Sequence, residues 1–272
     1  MRKVVDSNML QNPELRAYLS KSANNYAILT DYAAMEAYKG DTLASIFRSM
    51  EILSEFPQQV IILKTTGVVC GLRGRQAGLQ RRMIDERQTH GFPSYCKSLQ
   101  AAKLGNLFGQ GELLDHGREA DAQMERILSD VTDMPGALTD IAATFTASEL
   151  QIIRTGAVFP NPLIRKFLER IMMLAQTLFL RHPRPTIIGN RAELPNTFLF
   201  RSALCVFIWA LDWISVGGAG ITKPTRIRND IIDVNFATYA TYFDGLLSKD
   251  VKPVRIYHRA AFILDAITKS PI

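Results

Sequence analysis

Five acidic residues stand where carboxylates can do chemistry: Asp6, Glu36, Asp230, Asp233 and Asp250. Asp6 closes the apolar run of "KVVDSN", and Glu36 lies in "DYAAMEAYKG". The other three fall within "RNDIIDVNFATYATYFDGLLSKD", near the far end of the chain. Carboxylates brought together repel one another, which raises their pKa values and costs stability. A hard divalent cation such as Mg²⁺ or Mn²⁺ removes that cost and prefers oxygen ligands. Such an ion can activate water as a nucleophile and stabilise charge on a phosphodiester. Taken singly, each acid is as readily a cap as a ligand, because Asp and Glu favour helix starts. Asp230 fits a helix N-cap, and Asp244 fits a cap of the turn before "GLLS". The ordered set of acids is what points to a metal.

Strands and helices must place these acids. "KVVDSN" reads as a buried strand with Asp6 at its carboxyl end. Tyr26–Tyr32 is a second strand and Val60–Lys64 a third. A helix follows from Ala33 and carries Glu36. Gly40 can break it, Asp41 can cap the next helix toward Phe56, and Pro57 stops that one. Pro13 to Ser20 reads as a helix. At the other end, Asp230 to Tyr242 reads as a helix, "GLLS" as a strand and "VRIY" (Val254–Tyr257) as another. "AAFILDAITK" is the last helix. Asp230 and Asp233, three apart at a helix start, can share a face. Open α/β sheets bind ligands outside the carboxyl ends of their strands, where these acids would meet.

Between positions 67 and 227 helical patterns dominate. Asn161 as N-cap and Pro162 at the first helical position open a helix whose apolar residues cover much of its circumference, which predicts burial between neighbours. Residues 181–196 read as a loop. Phe198 to Gly218 is the most apolar stretch, but Arg201 and Asp212 interrupt it. A core helix is the expected reading, with a membrane-associated segment as its alternative. No internal repeat stands out. The simplest architecture is a parallel α/β core built from both ends of the chain around a helical insertion.

Composition bounds the function. The 272 residues include 47% apolar and 21% charged residues, as a globular core requires. Thirty-two Lys and Arg against 26 Asp and Glu leave a charge of +6, a mild bias toward polyanionic partners. Arg73, Arg75, Arg81 and Arg82 in "GLRGRQAGLQRR" either bind phosphates at the crevice or form a solvated helix start. Lys223, Arg226 and Arg228 precede the acidic segment and can steer a nucleic-acid backbone or balance the acids. Three widely spaced cysteines and no N-terminal apolar signal region predict a cytoplasmic protein with reduced thiols. Cys70, His90 and Cys96 lack the paired spacing of a zinc site. "GGAGITKPT" lacks phosphate-loop spacing. No G-x-S-x-G motif supports serine hydrolase chemistry, and His258 reads as a structural or surface histidine.

In this order, the motifs resemble the PIN-domain (PilT N-terminus) nucleases. The resemblance rests on "VVDSN", on a strand followed by a helix with Glu36, and on "NDIIDVNFATYATYFDGLLSKD" closing in Ser-x-Asp. It covers roughly residues 1–65 and 228–260. It implies a PIN-like parallel sheet flanked by helices, formed by residues 1–66 and 228–272, with 67–227 as a large helical insertion. It implies Mg²⁺ or Mn²⁺ held by Asp6, Glu36, Asp233 and Asp250, with Asp230 as a further candidate ligand. Ser7 or Asn8 and Ser248 would brace the site. The implied activity is endonucleolytic, with RNA as the expected substrate and DNA as the alternative. Implied roles are toxin or defence effector work and RNA processing. A catalytically inactive PIN-like module, its insertion binding a protein or nucleic-acid partner, is the rival reading, and a metal-dependent phosphatase-like hydrolase is a third. Oligomers are possible and no membrane partner is expected.

Overall fold

The computed structural model describes all residues except 40–41, 75, 131–133, 183–190, 217–223 and 270–272. Four parallel strands form its sheet: β1 (Arg2–Val5), β2 (Tyr26–Leu29), β3 (Val60–Ile62) and β4 (Leu246–Leu247). Their order is β3-β2-β1-β4. Val4 pairs with Ile28 on one side and with Leu246 on the other. The chain therefore lays β2 and β3 on one flank of β1 and returns to add β4 on the other flank. Strand order reverses between β1 and β4, and such a switch point opens a crevice at the carboxyl ends. Asp6 follows β1 and Asp250 follows β4 there.

The four strand segments fall where the apolar runs predict them, each shorter than its run. Thr30 ends the second run early, because its hydroxyl accepts from Ala33 N at 3.1 Å and starts α2 (Asp31–Tyr38). After α1 (Pro13–Ser20) and α2, α3 (Leu43–Glu55) is capped by Thr42, whose hydroxyl accepts from Ser45 N at 3.3 Å. The expected Gly40 break and Asp41 cap lie outside the described residues.

Helices α4 (Thr66–Cys70), α5 (Gln76–Met83), α6 (Glu86–Lys103), α7 (Leu107–Asp130), α8 (Met134–Ala143), α9 (Ala147–Thr155), α10 (Asn161–Arg181), α11 (Phe198–Ser215), α12 (Pro224–Ala240) and α13 (Val251–Lys269) complete the chain. "VRIY", expected as a strand, lies inside α13. Its β-branched residues look strand-like locally. The helix wins because Ile256, Ala260 and Leu264 recur every four residues and are buried. Pro253 is tolerated in the first turn, where backbone N–H groups have no helical partner.

Two apolar cores form. The first joins the sheet to Leu79, Met83, Phe92, Leu99, Leu113 and Met124 of α5, α6 and α7. The second gathers α8 to α11 and the inner face of α13. The cores thus do not divide at residues 66 and 228: α5 to α7 pack on the sheet, and α13 packs with the helical layer. Helix α12 serves both. Ile232, Phe236, Tyr239 and Ala240 face the first core, whereas Ile227, Val234 and Ala237 face the second.

Two expectations for α10 change. Helix α10 buries one stripe, Leu163, Phe167, Ile171, Ala175 and Phe179, and exposes Ile164, Met173 and Leu180. It begins at Asn161, after Pro160 rather than after an asparagine cap. Helix α11 is long and apolar enough to cross a membrane, yet 67% of it is buried within the fold. Its Arg201 is buried too. The guanidinium donates to Thr241 O at 2.6 Å and Pro195 O at 2.9 Å, and lies 4.0 Å from the centre of the Tyr242 ring. Asp212 at the other end pairs with Arg255 and Arg259, tying α11 to α13.

Candidate metal centre

Asp6 is placed by the sheet itself. Its N–H bonds Leu247 O at 2.9 Å, so the residue is held between β1 and β4. Gly245 makes the turn into β4 at φ 132°, a conformation L side chains rarely adopt, and its carbonyl accepts from Val4 N. The next residues swing Asp250 back over the strand ends. Helix α12, packed across β1 and β4, brings Asp233 from above. Carboxylate oxygens of Asp6, Asp233 and Asp250 all lie within 4.8 Å of one another.

A hydrogen-bond frame holds two of the three. Ser248 Oγ donates to Asp6 Oδ2 at 2.5 Å and accepts from Asp250 N at 3.0 Å. Asn8 Nδ2 donates to Asp6 Oδ2 and to Asp250 Oδ2, both at 2.9 Å. Asn8 Oδ1 accepts from Lys249 N at 3.2 Å, which settles the amide's orientation. The bonds from Ser248 and Asn8 favour the ionised form of Asp6.

Glu36 stands beside the triad but is not part of it. Ser7 Oγ donates to Glu36 and lies 3.3 Å from Asp6 Oδ1. One hydroxyl proton cannot serve both carboxylates, and the shorter contact is to Glu36. Both acids line the same cleft of about 480 Å³, together with Asp233, Asp250, Arg226 and Lys252.

The electrostatics are those of a site short of positive charge. Burial, then the neighbouring charges of Asp6, Asp230 and Asp250, push Asp233 up to about 7, against the pull of Lys252. Burial also raises Asp6, with Asp250 adding to the rise and the bond from Ser248 opposing it. Glu36 is raised by burial and by Asp6, against Ser7, Lys39 and Arg228. The donor set is all oxygen, converging and electrostatically frustrated, which fits a hard cation such as Mg²⁺ or Mn²⁺. Asp6, Asp233 and Asp250 would hold it, and Glu36 lines the same cleft.

Asp230 is different. It is the seventh residue of α12, so it is no N-cap, and both its oxygens are engaged. Trp209 Nε1 donates to Oδ2 at 3.0 Å, and Lys252 Nζ pairs with Oδ1. Although it lines the cleft, it is not a member of the converging triad.

No family model, curated protein or solved structure matches the chain.

Other expected contributors are distributed unevenly. Arg226 lines the cleft, while Arg228 lies close enough to lower Glu36. Lys223 and Arg75 fall outside the described residues. Arg73, Arg81 and Arg82 are not among the residues lining the cleft. Asp244 is structural: Arg2 N donates to its Oδ2 at 2.6 Å at the amino end of β1. Sequence reasoning missed Lys252. Its only signal was a cation two residues after Asp250, where a helix could begin.

Proposed function

We propose that the chain is a metal-dependent nuclease of PIN-like fold that hydrolyses RNA phosphodiester bonds. The observation that carries this reading is the convergence of Asp6, Asp233 and Asp250 at the switch point of a parallel sheet. Three more features support it: the braced Ser-x-Asp turn, the adjoining Glu36 and the cations at the cleft. A bound Mg²⁺ or Mn²⁺ supplies an activated water and screens charge on the phosphate. The chain's own residues do the rest. Asn8 and Ser248 hold Asp6 and Asp250 in orientation. Glu36, which lines the same cleft, would accept a proton from the attacking water. Arg226 and Lys252 offer positive charge to a polyanion. The three thiols are free, which suits a reducing compartment, and we place the protein in the cytoplasm.

The test compares wild-type protein with Asp6→Asn on single-stranded RNA and DNA, in Mn²⁺, Mg²⁺ or chelator. Metal-dependent RNA cleavage by the wild type alone is expected. No cleavage, or equal cleavage by both proteins, rejects the reading.

One observation favours a second reading, an interaction module. Leu104, Leu107 and Phe108 at the α6–α7 tip are 80%, 81% and 77% exposed, apolar surface that a protein partner could cover. Loss of cleavage with retained capture of a partner through this tip would favour it.

A further inference from the structure

Lys252 lies on the wall of the cleft, two residues past Asp250, in the first turn of α13. Its ammonium pairs with Asp230, whose other oxygen is held by the indole of Trp209. Trp209 is buried at 2% exposure, and the Lys252 side chain keeps 33%. Three helices, α11, α12 and α13, therefore combine to fix one cation at the cleft. A free lysine loses rotamer entropy when it is immobilised. Here the ion pair has already immobilised it. An ammonium has three donors, and Asp230 takes only one direction. The first-turn N–H groups of α13 add positive potential on the same side.

We propose that Lys252 grips a backbone phosphate of single-stranded nucleic acid beside the carboxylate triad, with Asp230 as the positioning residue that aims it. The inference rests on the nuclease reading and deepens it. Five carboxylates line the cleft, and a polyanion needs fixed positive charge to approach them. Arg226 is exposed, whereas Lys252 is already held by its ion pair.

The test is equilibrium binding of a fluorescently labelled oligouridylate in chelator, across a salt series, in an Asp6→Asn background that cannot consume the probe. Lys252→Gln is expected to weaken binding several-fold and to flatten the log–log salt slope by about 0.7, the value of one single-strand phosphate contact. Lys252→Arg keeps the charge and is expected to keep the slope. Thermal unfolding of each variant separates a lost contact from a lost fold. Unchanged affinity and slope in Lys252→Gln overturn the inference. If wild-type protein still cleaves RNA in that case, the nuclease reading stands and only the grip is wrong. If wild-type protein neither binds nor cleaves, both fall.

Discussion

Ser248 donates a 2.5 Å hydrogen bond to Asp6 across 242 positions of sequence. The bond joins the strand-end acid of β1 to the turn after β4. It also leaves Ser248 Oγ as the acceptor for Asp250 N, so one hydroxyl sets two of the three carboxylates. Ser248→Ala is expected to weaken Mn²⁺ binding by roughly ten- to a hundredfold, the usual effect of losing a partner behind a metal ligand. Titration calorimetry reads this directly, without any nuclease assay. Binding equal to wild type would show that Asn8 alone suffices to brace Asp6.

Asp233 carries a pH signature. Its folded value of about 7 lies above the ordinary 3.8, so the native state holds this proton more tightly than the unfolded chain does. The stabilisation is complete below about pH 4 and is lost as pH rises through about 7. Metal-free protein should therefore lose stability across that window. Asp233→Asn is expected to flatten the profile and to stabilise the metal-free protein at neutral pH by roughly 1–3 kcal/mol. Mn²⁺ affinity of the wild type should rise with pH through the same range, because the ion displaces the proton. Denaturant melts and calorimetry at several pH values check both halves.

Asp230 should behave as a structural anchor. Asp230→Ala strands a buried indole N–H and frees Lys252, at a cost of about 1–3 kcal/mol or more. Asp230→Asn can still accept from Trp209 and should cost less. Its Mn²⁺ affinity should remain far closer to wild type than that of Asp233→Asn. Equal metal losses in the two asparagine variants would make Asp230 a ligand after all.

Arg201 holds the helical layer from inside. Arg201→Ala leaves the carbonyls of Thr241 and Pro195 without their charged donor, and removes a cation from the face of Tyr242. We expect a loss of about 3 kcal/mol or more in chemical denaturation. Arg201→Lys should restore little, because one ammonium cannot span both carbonyls in the guanidinium's geometry.

Much of the site was legible because it lies at strand ends. An apolar, β-branched run that stops at an acid, as in Val4-Val5-Asp6, is both a strand and a pointer to its carboxyl edge. Asp250 was visible because it follows the "GLLS" strand, and Ser248 through the Ser-x-Asp ending on which the resemblance rests. The "VRIY" segment misled because four residues carry too little periodicity to separate strand from helix. The stripe of Ile256, Ala260 and Leu264 extends beyond it. The charged segment running into α5 drew attention by composition, yet Leu79 and Met83 anchor α5 to the sheet core, and Arg73, Arg81 and Arg82 do not line the cleft.

The chain's own chemistry determined the strands, the helix carrying Glu36 and the acids available to a metal. Local apolar runs and capping residues are enough for that. Which acids meet was decided only in three dimensions. Asp230 and Asp233 sit three apart on one helix, and nothing local distinguishes them. Trp209 and Lys252, brought in by α11 and α13, engage both oxygens of Asp230 and leave Asp233 to face Asp6 and Asp250. A carboxylate's role follows from which donors reach it first, and those donors come from helices distant in sequence.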